Sequence, residues 1–422
     1  MKFLHISDIH LGCDLYHIEN EERMRDYGRA WGDCLERAVD EKVDFVLIGG
    51  DLFDKKTPAP RAMIQAISGL TNLKNNRIPA IAIEGNHDNV STGKDYSWLH
   101  TLAEMGLIRL LESNMLADES GKLYVKPTEW SEFTEKSFYT DIGNARIFGT
   151  SWYGASIEKL VPTIAAAVEQ NRREGAFHIL MLHTEIEGKE ISPFPLLTMA
   201  KLKELQPFTD YVALGHIHKH FIVDDWAFNP GSLEITNISE YKNERGALLV
   251  EFDDDKKITH KLIKDYFRRP FNRVKFDVSG KTADEVYAGI FDQISREVTI
   301  TNDKPIVEIT FEGHLGFKSS ELEINKIRDE ALIFTKALHV RVQNKTQPKD
   351  LPIAVGADQT DRKVLERRVL TDLVFSHNSY QMFAEDFADM AIEVKNKALN
   401  DEEPEYIAEF IELNLPNESL NK

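Results

Sequence analysis

An α/β layer architecture is predicted for residues 1–265, followed by a small α+β unit and a helical C-terminal region. Three observations carry this reading. Up to residue 265 short apolar runs alternate with helical patterns: Lys2 to Ile6, Val43 to Ile48, Ile78 to Ile83, Ile179 to Leu182 and Tyr211 to Leu214 read as strands, most of them buried. Trp31, Leu35 and Ala38 fall at helical spacing and place a helix crossover between strands, which is the mark of a layered α/β arrangement. From Phe271 the pattern changes, with strand-like Arg273 to Phe276, Ile306 to Phe311 and Leu338 to Val342 separated by helical Ala283 to Ile294 and Ser320 to Phe334.

The chain has 422 residues, more than one ordinary core can use, so two or three domains are expected. The divisions fall at 1–265, 266–350 and 351–422. After the breaks at Gln347-Pro348 and Leu351-Pro352 the sequence turns helical, with Phe383, Phe387, Met390 and Val394 on one face, either an internal packing stripe or a partner-binding surface. Asp401 to Glu412 is acidic and reads as a solvated, partly frayed face.

Hydrophobic content of 42% and charged content of 29% are those of a globular protein. The strand-like start leaves no room for a signal peptide, and no apolar run nears the roughly 18 residues of a membrane span, so a cytoplasmic location without membrane contact is expected. Cys13 and Cys34 are too few for a disulfide framework or a structural zinc site. A formal charge of −19 argues against a protein that coats nucleic acid electrostatically. It leaves open a catalytic site whose clustered carboxylates are neutralised by divalent ions.

Five segments concentrate Asp, His and Asn at predicted strand ends, where open α/β sheets bind ligands: Asp8-Ile9-His10, Gly49-Gly50-Asp51, Gly85-Asn86-His87-Asp88, His183 and Gly215-His216-Ile217-His218. Carboxylate and carboxamide oxygens mixed with imidazole suit manganese, iron or zinc better than calcium. In an extended segment the alternate residues of Asp8-x-His10 and His216-x-His218 share a side, so each pair can reach one metal or two neighbouring ones. Asp51, after a Gly-Gly pair that lets backbones approach closely, is the natural bridging carboxylate. Asn86 supplies a neutral ligand, which frees His87 for proton transfer at the leaving group. Asp88 either orients His87 or stabilises its turn. His5 and His178 read as packing residues, and His100 and His220 as surface or supporting groups.

This set, in this order, resembles the calcineurin-like metallophosphoesterase superfamily, whose signature runs D-x-H, G-D, G-N-H-D or G-N-H-E, H, and G-H-x-H. Within it the chain is similar to the SbcD-type nuclease subunits of DNA repair complexes, through His5 to Gly12, Gly50 to Asp54 and Asn229 to Glu234. The resemblance implies an αββα sandwich core and a capping domain. It assigns one metal to Asp8, His10, Asp51 and His218, the other to Asp51, Asn86, His183 and His216, and the leaving group to His87. It also implies two divalent ions, manganese for choice, a homodimer, and a C-terminal region that meets an SMC-like ATPase of the SbcC type. Some members carry histidine where this chain has Asp54, so a second catalytic imidazole does not transfer.

The expected function is therefore manganese-dependent exonuclease and endonuclease action on DNA, with water activated between two metals. One alternative is hydrolysis of small phosphodiesters or phosphoproteins by the same metal core, and another a non-catalytic scaffold for the ATPase. For DNA contact the sequence offers Lys55, Lys56 and Arg61 near the bridging carboxylate, and Arg268, Arg269 and Arg273 interleaved with aromatics between Tyr266 and Lys275. An exposed basic linker is the alternative account of that stretch.

Overall fold

A computed structural model of the chain describes residues 1–18, 21–89, 96–132, 134, 136–189, 197–347, 362–375, 383–399, 402 and 404–415. The chain divides into two compact units: residues 1–273 with 297–308 and 332–341, and residues 274–296, 309–331 and 342–422. The breaks expected at Pro348, Leu351 and Pro352, and the boundary between 350 and 351, lie outside the described residues.

The first unit carries strands β1 (Lys2–Ile6), β2 (Phe45–Ile48), β3 (Ala80–Ala82), β4 (Arg109–Leu110), β5 (Asn114–Ala117), β6 (Leu123–Lys126), β7 (Tyr139–Ile142), β8 (Ala145–Gly149), β9 (Phe177–His183), β10 (Tyr211–Gly215), β11 (Phe221–Val223), β12 (Ala227–Asn229), β13 (Ala247–Phe252) and β14 (Ile258–Ile263). Its main helices are α1 (Glu22–Asp40), α2 (Pro60–Asn75), α3 (Trp98–Glu104), α4 (Ile157–Gln170) and α5 (Met199–Lys203). The strands form two six-stranded sheets, β14-β13-β1-β2-β3-β4 and β11-β12-β10-β9-β8-β7, while β5 and β6 pair as a hairpin.

Alternation along the strands sorts their side chains into three cores. Phe3, Phe45, Leu47, Ile81, Ile179, Met181, Tyr211, Ala213, Leu248 and Val250 come from both sheets and form one cluster, so the sheets face each other. The other parity of the first sheet, Leu4, Ile6, Val46, Ile48, Ala80 and Ala82, packs with Trp31, Leu35, Ala66 and Leu70 of α1 and α2. Leu180, Leu182, Val212 and Leu214 do the same with Val161, Ile164 and Val168 of α4. This is an αββα sandwich, and near-continuous apolar runs such as Phe45–Ile48 follow from burial on both faces. His5, on the inner side of β1, is fully buried between the Tyr211 hydroxyl (2.9 Å) and the Leu214 carbonyl (3.1 Å), and burial lowers its pKa to about 3.

β1, β2 and β3 run parallel, as do β8, β9 and β10, so their C-terminal ends lie along common edges of the two sheets. The candidate metal donors lie at or just beyond those ends.

The second unit has its own core, with Val274, Phe276, Val286, Ile290, Ile294, Ile309, Phe311 and Ile327 buried. The division between the units falls within strands β15 (Phe271–Asp277), β16 (Ile306–His314) and β17 (His339–Gln347), which form a sheet in that order with helices α6 (Ala283–Glu297) and α7 (Ile324–Thr335). Helices α8 (Arg362–Phe375), α9 (Ala384–Leu399) and α10 (Pro404–Asn414) follow, and Arg367–Asp389 and Lys395–Glu366 pair α8 with α9. Phe387, Met390 and Val394 are half-buried, and residues 404–412 of the acidic stretch lie in α10. No helix among the described residues is long and apolar enough to cross a membrane.

The aromatic and basic segment after β14 is neither a free linker nor an open phosphate clamp. It is strapped along α1. Phe267 donates its backbone N–H to Asp33 (2.8 Å) while Arg29 covers its ring, and Arg37 pairs with Asp265. Arg269, 4% exposed, gives its guanidinium to Asp26 and to the Asp303 and Lys304 carbonyls. Its backbone N–H reaches Glu234, which also receives the buried Arg23. Arg269 is thus withdrawn as a DNA contact, since every face of its guanidinium serves the fold. Arg273 is likewise committed, its Nε 2.8 Å from the fully buried Glu308. Breaking one side of a buried ion pair strands the other charge, so Arg269→Ala is expected to lose about 3–5 kcal/mol in chemical denaturation. The same variant, measured below its transition, should keep the wild-type affinity for duplex DNA; a loss confined to DNA binding would reverse the assignment.

Candidate metal centre

The backbone leaves the regular strands just before most of the donors, His183 being the last residue of β9. Asp8, His10, Asp51 and His216 have φ of 54°, 50°, 51° and 89°, the left-handed region that L-residues rarely enter. Asp8 and His10 therefore do not share a side by strand alternation, because β1 has ended at Ile6; tight turns aim them instead. The Asp8 carboxylate accepts from Ser7 Oγ (2.6 Å) and from the His216 backbone N–H (3.0 Å), which ties the end of β1 to the end of β10 across the two sheets. Gly85 leaves the needed space, since a Cβ there would lie 2.1 Å from Asp51 Oδ1.

Three donor groups result, each with ligand atoms within 4.8 Å of one another: Asp8, His10 and His218; His10, Asp51 and His87; and Asp51, His183 and His216. Asp51 belongs to two of them. Its Oδ2 is 3.3 Å from His183 Nε2 and 3.9 Å from His10 Nε2. Asn86 Oδ1 lies 3.1 Å from His183 Nε2 and 2.8 Å from His216 Nδ1, and His10 Nε2 faces His218 Nε2 at 3.0 Å.

The opposite ring nitrogens are held by partners that fix which nitrogen faces inward. His183 Nδ1 donates to the Gly49 carbonyl (2.8 Å). His218 Nδ1 meets Glu240 Oε1 and Thr236 Oγ1, both at 3.0 Å. His216 is turned the other way, its Nε2 on Glu185 Oε1 (3.1 Å) and its Nδ1 toward Asn86. Neutral His183 thus presents a lone pair to the oxygens of Asn86 and Asp51. Acceptors facing acceptors at this range repel unless a proton or a metal cation lies among them, so the donor set fits a pair of divalent ions.

The titration behaviour of the metal-free site follows from the same crowding. Burial opposes the charged form of His183, but the adjacent Asp51 carboxylate outweighs it and holds the imidazole up at about 9. Asp51 is driven the other way, well below the usual carboxylate range, because His183 and His10 overcome its desolvation. Burial, with the charge of neighbouring His218, pushes His10 down, while Glu240 raises His218 against its burial.

His87 is at the rim. Its backbone N–H donates to Asp51 Oδ1 (2.8 Å), and its Nδ1 meets the Asp54 carbonyl (2.6 Å), which leaves Nε2 for a reacting group. Asp88 does not orient it. That carboxylate is 4% exposed and accepts the backbone N–H groups of Leu52, Phe53 and Gly85, so it locks two loops together and is no proton donor to substrate. Burial and the nearby Asp51 charge raise its pKa. Asp54 takes over the orienting role through its main chain, and its Oδ1 stands 3.6 Å from His10 Nδ1.

Lys55, Lys56, Arg61 and Arg268 are exposed; Arg61 pairs with Glu21, and Arg268 lies over Tyr266. Glu185, Glu240 and Thr236 were not anticipated. Glu185 had a signal, the His183-x-Glu185 spacing; Glu240 and Thr236 come from an irregular segment with none.

A family model described as calcineurin-like phosphoesterase matches residues 1–220, just over half of the chain. The chain belongs to that family. Members use divalent metals, in keeping with the donor groups above. Among curated relatives, proteins named DNA double-strand break repair protein Mre11 are similar to this phosphoesterase. The one from Archaeoglobus fulgidus is 30% identical over 65% of this chain and 57% of its own length. That from Saccharolobus solfataricus is 28% identical over 95% and 96%, and that from Sulfurisphaera tokodaii 27% over 100% and 98%. The phosphoesterase spans 57% and 54% of the Archaeoglobus fulgidus and Methanosarcina mazei relatives, and nearly all of the other two.

Since a metal needs neutral His183 and the metal-free imidazole keeps its proton up to a pH of about 9, binding must expel that proton. Calorimetric titration of manganese into metal-stripped protein at pH 7.5, in buffers of different ionisation heat, should show release of about one proton, with affinity rising toward pH 9. Glu240→Gln should weaken one of the two sites about 10–100-fold. A pH-independent affinity would contradict the assignment of His183.

Proposed function

We propose that this phosphoesterase is a manganese-dependent DNA nuclease with exonuclease and endonuclease action, the nuclease subunit of a double-strand-break repair assembly. What supports this reading is the near full-length match, 95% of this chain with 96% of its relative, to a protein named for double-strand-break repair, together with the candidate donor groups. In this reading Asp8, His10, Asp51 and His218 hold one ion, and Asp51, Asn86, His183 and His216 the other. Bound ions would supply Lewis acidity toward the phosphoryl oxygens and acidify water.

The side chains do the rest. Asp51 keeps both halves of the site in register, and Glu185 and Glu240 hold two imidazoles at fixed rotation. His87, with Nδ1 pinned by the Asp54 carbonyl, offers Nε2 to the departing sugar oxygen. In this reading Lys55, Lys56, Arg61 and Arg268, all exposed, meet the DNA backbone. The unit around residues 266–350 serves as a cap, and the helices after 351 dock an SMC-like ATPase of the SbcC type. A homodimer in the cytoplasm completes the proposal.

The formal charge of −19 favours a second reading, hydrolysis of a small phosphodiester. Manganese-dependent degradation of end-labelled duplex DNA, run beside a small chromogenic phosphodiester, separates the two. The full chain should cleave DNA, and His87→Ala should lose about 10²–10⁴-fold in rate while still binding manganese. Rapid turnover of the small ester with DNA left intact would select the second reading.

A further inference from the structure

Beside the donor set lies a cavity of about 300 Å³, lined by Asn86, Trp152, Gly154, Thr184, Glu185 and His216. Asn86 and His216 belong both to it and to the metal donors, so whatever fills it is a neighbour of the scissile phosphate. We propose that it is a nucleobase subsite, receiving the base of one of the two nucleosides that flank the cleaved bond, with Trp152 as its stacking wall. The proposal rests on the nuclease reading.

Three features select a base over other occupants. The indole of Trp152 is half-buried, 5.3 Å from the His216 ring and tilted 32° to it, and 5.8 Å from the His183 ring. A flat aromatic surface beside a phosphate site suits a planar base, which stacks whatever its identity. Among the described residues no lysine or arginine lines the cavity, and Glu185 does, so a second phosphate is disfavoured there. Glu185 gives Oε1 to His216 and adds a carboxylate to the lining, acceptor chemistry suited to the amino or imino edge of a base.

The wall is also fixed in place. On one side of Trp152 the backbone N–H of Ser151 donates to Ser113 Oγ (3.1 Å), and on the other the Tyr153 hydroxyl bonds Ser113 at both its side chain and its carbonyl. Thr150 Oγ1 donates to the Met181 carbonyl on β9, so the whole turn after β8 is tied to the sheet that carries His183. Preorganised aromatic surface loses little entropy when a base docks.

The test uses the full chain with manganese and duplex DNA in which a tetrahydrofuran abasic residue replaces, in turn, each nucleoside flanking a mapped cleavage phosphate. One position should lower kcat/KM on the order of tenfold, and the other by less than about twofold. Trp152→Ala should show the same loss on intact DNA and no further loss on the sensitive abasic substrate, whereas Trp152→Phe should keep most of the rate. Wild-type protein that cleaves both abasic substrates as fast as intact DNA, or loses equally on both, overturns the subsite and leaves the nuclease reading standing; this arm needs no variant to fold. Wild-type protein that cleaves no DNA overturns the nuclease reading, and the subsite with it.

Discussion

Asp51 is 1% exposed, with the inward nitrogens of His183 and His10 turned toward it and a backbone N–H from His87 on its other oxygen. A buried carboxylate among imidazoles persists only if positive charge is supplied, by protons when the site is bare and by metal when it is filled. The rest of the architecture serves that requirement. Parallel strands bring five segments to common edges, and the two sheets face each other so that Asp8 and Asp51 from one meet His183 and His216 from the other. Asp8, His10, Asp51 and His216 sit at positive φ, a strain of about 1–3 kcal/mol each that the tightly filled core between the sheets must offset. The fold stores strain where the chemistry is wanted.

Much of this was legible in the sequence because it was written at strand ends. A buried apolar run followed abruptly by Asp or His is a residue pattern that packing alone does not explain, and five such endings in order pointed to one centre. Alternation brought Asp8 and His10 together for the wrong reason, since they are aimed by left-handed turns beyond β1. The supporting groups were less legible. Glu240 and Thr236 reach His218 from an irregular segment, and a lone glutamate there looks like any solvated surface residue until the loop is folded back.

The segment from Asp265 to Arg273 shows a different limit. Cations interleaved with aromatics are a chemistry that nucleic acid and a helix surface satisfy equally, and the segment alone does not say which is present. The deciding signal lay elsewhere in the sequence. Glu22, Asp26, Arg29, Asp33 and Arg37 recur every three or four residues and so form one charged stripe on α1. In the structure that stripe meets the strap in reverse order: Glu22 and Asp26 meet Arg269, Arg29 and Asp33 meet Phe267, and Arg37 meets Asp265. Complementary charge at matched spacing in two distant segments is evidence for internal docking.

Under the proposed nuclease reading, this commitment of arginines bears on how an acidic chain would meet a polyanion. Arg23 and Arg269 are consumed inside the first unit and Arg273 is tied to Glu308, so these three cations are not available to phosphate. Long-range electrostatic attraction from the protein itself is therefore weak, and the net charge of −19 works against it. Two divalent ions at the strand ends would invert that balance locally, because they place the largest positive charge in the region where the scissile phosphate must sit. Substrate binding and catalysis would then depend on the same ions, so metal removal would cost affinity for DNA as well as rate. A chain that relied on a basic surface would lose only the rate.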